Sequence, residues 1–236
     1  MQSVKQESLG LVSDYYQFTM AYGYWKLGRA SDQAVFNLFA RKNPFLGTYT
    51  VAAGLSKVIS FLENFSFSDS ELEFLESLKT SQGDKLFSKD FLDYLKNLKF
   101  SCSLKAAPEG TVLFPYEPLL RIEGPLIQCQ LLESALLNLV NFPSLIATKA
   151  SRVCLAAAGD EVLEFGLRRA QGIEASCEAS KAAYLGGCHA SSNVMAGKLF
   201  NIPLRGTHAH SWVMASTSEK KAFSDYLSVF PERAVL

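Results

Sequence analysis

The chain has 236 residues, of which 48% are hydrophobic and 19% charged, so we expect a globular protein with one large or two small domains. Its 23 basic and 23 acidic residues give no net positive charge, which argues against nucleic-acid binding. No run of about 18 apolar residues is present, so no membrane span is expected. The five cysteines are widely spaced, and together with the absence of an apolar secretory signal they favour reduced thiols in a cytoplasmic protein.

The first part of the chain, to about residue 130, has the pattern of a mixed α+β domain. Ser13 or Asp14 is expected to cap a helix that runs to about Leu27 and is buried on more than one side, because it is dense in aromatic residues. The spacing of Ser68 and Glu71 predicts a capping box at the start of another helix. The remaining predicted elements are strands over 35–41 and 48–53, helices over 56–65, 68–79 and 90–98, and a β-rich stretch over 100–127.

The second part, residues 131–236, has a different pattern. Helices are predicted over 128–141 and 144–158, separated at Pro143, which should break or kink the helix. Strands over 161–165, 187–189 and 202–206 alternate with helices over 176–184, 193–199 and 218–230, and a last strand begins at Ala234. Alternation of this kind indicates parallel βαβ units and an α/β fold. Because four short strands cannot close an eight-stranded barrel, the sheet is either small and open or the front of a longer structure.

Two of the three histidines, His208 and His210, follow the last complete strand. In an extended segment both imidazoles would point to the same side, where they could face one ligand. Histidine can be a nucleophile or a metal ligand. A metal pair would need further ligands, and the spacing of the cysteines and histidines fits none of the common zinc patterns, so we predict no metal site.

Several segments in chain order resemble nicotinate phosphoribosyltransferase, and together they make the match specific. They are 14–21, 39–45, 108–111, 164–172, 192–197 and 206–211. The resemblance implies formation of nicotinate mononucleotide and pyrophosphate from nicotinate and phosphoribosyl pyrophosphate, coupled to ATP hydrolysis and assisted by Mg²⁺, in NAD salvage. It also implies an irregular parallel α/β barrel, a homodimer, and a family chain longer than this one.

The resemblance assigns roles to three residues: His210 matches the phosphorylated histidine, and Thr207 and Tyr16 match positions at the nicotinate site. Arg168 and Arg169 follow the strand predicted over 161–165, where an arginine is well placed to bind a carboxylate or phosphate, and Arg168 is favoured for this role. The alternatives are a turn threonine, a core tyrosine and surface arginines. His208 is expected to support His210, and Glu164 to be a structural partner of an arginine rather than an acid or base.

The match also contains departures and leaves an alternative open. Cys188 and His189 stand where the family has Phe-Asp, so a metal or ribose contact by that loop is in doubt. Because the phosphate-binding loops would lie beyond Leu236, we expect a fragment with an exposed strand edge at its end, poor solubility and no normal turnover by itself. The alternative function is a non-catalytic remnant that at most binds a small anion.

Overall fold

The computed structural model describes residues 9–232. It divides into two compact units, Met1–Lys149 and Ala150–Leu236. The fold class is α/β, as predicted. The sequence pattern placed the change of architecture near residue 130, whereas the packing divides the chain after Lys149. The reason is that the apolar helix starting at Leu126 contributes Ile127, Leu132 and Leu136 to the core of the first unit.

The first unit is built on two small antiparallel sheets and the helices that cover them. Strand order is β1-β5-β3 in the larger sheet and β2-β4 in the smaller. The β-rich stretch predicted before the long helix is therefore confirmed. The elements are α1 (Tyr15–Lys26), β1 (Gln33–Phe39), β2 (Thr50–Val51), α2 (Leu55–Glu63), α3 (Asp69–Ser77), α4 (Lys89–Lys96), β3 (Ser103–Ala106), β4 (Val112–Leu113) and β5 (Pro118–Pro125).

A single helix, α5 (Leu126–Ala156), replaces the two helices predicted around Pro143. Of the two outcomes predicted at Pro143, the break is wrong: proline removes one hydrogen bond from the helical ladder, and the apolar face of α5 packs into the core of the first unit. By length and composition alone α5 could cross a membrane, although, as expected, it contains no uninterrupted run of 18 apolar residues. Half of its most apolar 18-residue segment is buried inside the protein. The apolar composition of α5 is therefore explained by its place in the core.

Helix α1 begins after Asp14 as predicted, but the Asp14 side chain forms no capping hydrogen bond, and the helix is not buried on more than one side. Its buried residues are Gln17, Phe18 and Ala21. Tyr15 is 61% exposed and Tyr16 is 52% exposed. The expectation from aromatic density is wrong because only one stripe of the helix contacts the core. Tyr15 and Tyr16, the tyrosine face of α1, are exposed.

The predicted capping box at the start of α3 is confirmed. Ser68 Oγ accepts a hydrogen bond from the Glu71 amide at 3.3 Å, and Glu71 Oε2 accepts one from the Ser68 amide at 2.8 Å. The N-cap residue of α4, Ser88, has a similar backbone conformation, but its hydroxyl is buried and has no hydrogen-bond partner among the described residues.

These two serines provide a matched stability test. We expect Ser68→Ala to lower the free energy of unfolding by about 1 kcal/mol, since it removes a satisfied cap. Ser88→Ala should cost little or raise stability slightly, since it removes a buried hydroxyl that caps nothing. Urea unfolding of both variants measures the difference. Equal losses would contradict the capping argument.

The second unit contains the parallel βαβ arrangement that the alternating pattern predicted. Strands β6 (Leu163–Glu164) and β7 (Ala190–Ser191) pair in parallel, and Leu204 adds a parallel bridge to Ser191. The strand predicted over 187–189 lies slightly later, and the one over 202–206 is reduced to that bridge. The strand predicted from Ala234 lies outside the described residues. The helices of this unit are α6 (Ile173–Leu185), α7 (Val194–Phe200), α8 (His210–Met214) and α9 (Glu219–Val229).

Candidate active site

The carboxyl ends of the parallel strands carry the polar residues of the second unit. Arg168 follows β6 in a short 3₁₀ helix, Leu167–Arg169, and Thr207 follows the bridge at Leu204. Both segments leave from the carboxyl end of the parallel sheet, since β7 pairs in parallel with both β6 and Leu204. In parallel α/β proteins this end is where ligands bind.

A hydrogen-bond network lies at the ends of β6 and β7 and is centred on Glu164. Glu164 Oε2 accepts from Ser180 Oγ at 2.7 Å and from Ser191 Oγ at 2.6 Å. Glu164 Oε1 accepts from the Gly166 amide. The expectation that Glu164 pairs with an arginine is wrong, because hydroxyl and amide donors occupy both carboxylate oxygens.

The network continues into α6 and α7 through Asn193, which is completely buried. Its amide N–H donates to Ser191 Oγ at 3.0 Å, and its Nδ2 donates to Ser180 Oγ at 3.2 Å. Its Oδ1 accepts from the Ala196 amide at 3.2 Å and caps α7. One asparagine therefore joins the end of β7 to two helices.

Arg168 and Arg169 are both exposed. Within residues 9–232 the side chain of Arg168 forms no hydrogen bond or ion pair, so its guanidinium remains available to an anionic ligand. The same holds for Arg169, and the contacts of the described residues do not distinguish the two. The preference for Arg168 stays a prediction.

The segment that carries Thr207 and His210 is not an extended strand. The residues between Leu204 and His210 have no regular structure, and His210 is the first residue of α8. Thr207 and His210 are both exposed, and Thr207 Oγ1 donates only a long hydrogen bond, 3.4 Å, to the His208 carbonyl. The argument that both imidazoles face one side therefore fails, because its premise was a continuous strand.

His208 is held by aromatic packing against α9. Its ring stacks on Phe223 with centroids 5.5 Å apart and meets Tyr226 edge-on at 5.2 Å. Both ring nitrogens are buried and lack hydrogen-bond partners in the described part of the chain. Its imidazole thus packs as an aromatic ring against α9, whereas the imidazole of His210 is exposed.

This packing predicts an unusual response to substitution. We expect His208→Phe to raise the stability of the second unit by about 1 kcal/mol, since it keeps the ring and removes two unsatisfied nitrogens. His208→Ala should lower it by about 2 kcal/mol or more, since it leaves a cavity. Trp212 lies in this unit, so its fluorescence in a Trp25→Phe background reports the unfolding. A loss of stability in His208→Phe would indicate that the nitrogens have a partner.

Cys188 and His189, the departures from the family pattern, have structural contacts. His189 Nδ1 accepts from the Val162 amide at 3.2 Å, and the His189 amide donates to the Val162 carbonyl at 2.9 Å. Burial, reinforced by the neighbouring Cys154 thiol, raises the pKa of Cys188 to about 12. Cys188 is therefore a neutral thiol near pH 7 and a poor nucleophile.

Tyr16 lies in the first unit and lines an open groove of about 720 Å³. Its ring is half exposed, and its hydroxyl accepts a hydrogen bond from Gln17 Nε2 at 3.2 Å. The alternative that Tyr16 is a core residue is thus wrong. Asp14 lies in the same groove, where its Oδ2 accepts from Ser134 Oγ at 2.6 Å.

Two cations in this groove, Arg41 and Lys42, were not selected by the sequence argument. They follow β1 with only Ala40 between, and a basic pair just after a strand was the signal that could have identified them. Their charges beside an aromatic ring suit an anion attached to a flat, π-electron-containing group. Each unit therefore has candidate ligand-binding residues of its own. They are Tyr16, Arg41 and Lys42 in the first unit, and Arg168, Thr207 and His210 in the second.

Comparison with known proteins identifies the family of the chain. A sequence model of the nicotinate phosphoribosyltransferase (NAPRTase) N-terminal domain matches residues 11–141. Nicotinate phosphoribosyltransferase 1 of Arabidopsis thaliana is 51% identical over 211 residues, covering 88% of this chain and 37% of the relative. Nicotinate phosphoribosyltransferase of Bacillus subtilis is 48% identical over 224 residues, covering 94% and 44% respectively.

A crystal structure of human nicotinic acid phosphoribosyltransferase has the same fold, with a TM-score of 0.77 and 46% identity, and the match covers 86% of this chain and 40% of that one. Fold and sequence thus define a protein of the phosphoribosyltransferase class. The chain belongs to the nicotinate phosphoribosyltransferase family. It spans 37% to 44% of the length of the two curated relatives above.

Proposed function

We propose that the protein transfers a phosphoribosyl group to nicotinate, which produces nicotinate mononucleotide and pyrophosphate for NAD biosynthesis. The nicotinate ring nitrogen forms a bond to ribose C1 of phosphoribosyl pyrophosphate, and the bond from C1 to the pyrophosphate oxygen breaks. The observation that carries the proposal is the place of Arg168 and Thr207 at the same carboxyl end of the sheet, which agrees with family membership.

The assigned side chains suit the substrates. The guanidinium of Arg168, which has no partner among residues 9–232, can bind the nicotinate carboxylate in a bidentate manner, and the Thr207 hydroxyl can donate to the same group. A half-exposed tyrosine such as Tyr16 can stack on a pyridine ring. Arg41 and Lys42 supply positive charge for phosphate oxygens in the groove that Tyr16 lines.

His210 is the proposed phosphoryl acceptor. An exposed, neutral imidazole nitrogen can attack the γ-phosphorus of ATP, so that a P–N bond forms while the bond to the ADP oxygen breaks. Hydrolysis of the phosphohistidine would then couple ATP consumption to transfer. The contrast with His208, whose nitrogens are buried, favours His210 as the reactive member of the pair.

ATP and Mg²⁺ are proposed as co-reactant and metal ion. Residues 9–232 contain no group of three or more histidine, cysteine, aspartate or glutamate side chains arranged to hold a metal. We therefore assign no protein ligands and no step to Mg²⁺, which commonly binds through substrate phosphates and one or two carboxylates. We also propose a cytoplasmic homodimer, with the exposed tyrosine face of α1 near the partner subunit's site.

Binding and product formation test the proposal. We expect equilibrium dialysis to detect binding of labelled nicotinate, with weaker binding of nicotinamide, which lacks the carboxylate. Arg168→Ala should weaken nicotinate binding by about tenfold, the value of one charge-assisted contact. Absence of both nicotinate binding and nicotinate mononucleotide formation would contradict the proposed function. The expectation that the 236 residues alone have no normal turnover stays a prediction, which the product assay tests.

A further inference from the structure

We infer that Glu164 is a positioning residue that holds the arginine-bearing 3₁₀ helix, Leu167–Arg169, at the carboxyl end of the parallel sheet. The inference rests on the proposed function, because Arg168 is the residue whose position matters. Glu164 ends β6, and only two residues separate it from the 3₁₀ helix. A carboxylate there can connect the strand end to the turn that follows.

The contacts of Glu164 point in different directions and fix several elements together. Oε1 accepts from the amide of Gly166, the residue that precedes the 3₁₀ helix. Oε2 accepts from Ser191 at the end of β7 and from Ser180 in α6, at 2.6 and 2.7 Å. These short hydrogen bonds to an ionised acceptor belong to the strong class. The carboxylate thus ties the arginine-bearing turn to the neighbouring strand and to the helix behind it.

The backbone around the carboxylate is shaped to receive it. A Cβ atom at Gly166 would lie 2.8 Å from Glu164 Oε1, closer than atoms can approach without a shift. Glycine at this position therefore lets the carboxylate reach the main chain. The backbone angles of Gly166, φ −84° and ψ −5°, are ordinary for any residue, so an added Cβ would disturb the close approach of the Glu164 side chain and not the backbone.

Positioning and acid–base chemistry predict different responses to Glu164→Gln. Glutamine can direct its oxygen at the Gly166 amide and its NH₂ group at the two hydroxyls, each of which can accept. Ser180 would then donate to the Ser176 carbonyl, which already lies 3.0 Å from its hydroxyl. The contacts survive, but the titratable group is lost. A positioning residue tolerates this change, whereas an acid or base does not.

The binding test is a double-mutant cycle with nicotinate as the probe. We expect Glu164→Ala to weaken nicotinate binding by roughly three- to tenfold and Glu164→Gln by less than about twofold. In an Arg168→Ala background, Glu164→Ala should have no further effect, because its influence passes through Arg168. Additive losses, or equal losses in the glutamine and alanine variants, would overturn the inference.

Hydrogen exchange tests the same inference without any substrate. In Glu164→Ala and Gly166→Ala, amide exchange over residues 165–170 should be about tenfold faster, since the carboxylate no longer holds the turn. Glu164→Gln and Arg168→Ala should retain wild-type exchange there. Unchanged exchange in Glu164→Ala would refute the positioning role. If wild-type protein binds no nicotinate while exchange responds as expected, the proposed function fails and the structural part of the inference stands.

Discussion

Phosphate incorporation from ATP is expected to fall to background in His210→Ala. The imidazole of His210 is exposed and starts α8, so it is accessible to a nucleotide, whereas the nitrogens of His208 are enclosed against α9. Any ATP-dependent formation of nicotinate mononucleotide that the product assay detects should also slow by roughly 10²-fold or more, the usual scale for a lost nucleophile or base. Intact-mass analysis after ATP treatment detects the phosphoryl group directly.

His189→Asn is the control for this experiment. The asparagine Oδ1 can take the place of His189 Nδ1 as acceptor for the Val162 amide, so the strand contact is retained while an imidazole is removed. Phosphorylation should remain at the wild-type level in this variant. If phosphate incorporation persisted in His210→Ala, or were lost in His189→Asn, the acceptor would be a residue other than His210.

The largest effect on stability is expected at Gly54, the residue that immediately precedes α2. Its φ is +98°, in the left-handed region that side chains rarely adopt. A Cβ atom there would lie 2.3 Å from the Leu139 carbonyl oxygen. That oxygen is the one that residue 143 would bond in a regular helix, and Pro143 has no N–H to donate. The chain therefore places a glycine Cα against the carbonyl that proline leaves free.

We expect Gly54→Ala to lower the free energy of unfolding of the first unit by about 3 kcal/mol or more, combining backbone strain with overpacking. The Trp25 fluorescence change in a Trp212→Phe background reports the unfolding of this unit. Gly23→Ala is the matched control, since its Cβ meets nothing within 4 Å and it lies inside α1. That change should raise stability by up to about 1 kcal/mol. If Gly54→Ala lowered the free energy of unfolding by less than about 1 kcal/mol, α2 and α5 would be able to move apart at little cost.

Features governed by neighbours in the chain were predicted well. The capping box of Ser68 and Glu71 has the expected hydrogen bonds. The helices predicted from Asn193 and Ser218 begin after these residues, and both side chains accept from amides of the first turn. The alternation of strands and helices after α5 also indicated the parallel pairing of β6 with β7. Each of these depends on residues a few positions apart or on one chemical period.

Features governed by distant contacts were not predicted. The sequence pattern at Pro143 favours a break, yet the core contacts of α5 outweigh one lost hydrogen bond. The aromatic residues of α1 suggested burial, yet Tyr15 and Tyr16 face outward. Short α8 lacks a periodic signal, and an isolated helix of 5 residues is unstable without tertiary packing.

The sequence by itself determined the α/β class, the family and the residues that are candidates for chemistry, because these depend on local patterns and on motifs in order. Only the tertiary structure decided what each candidate does. It separated His208 from His210, gave Glu164 hydroxyl partners instead of an arginine, and brought Arg41 and Lys42 into the groove of Tyr16. The physical reason is that a side chain's burial and partners are set by residues far away in the chain, whose approach no short-range pattern encodes.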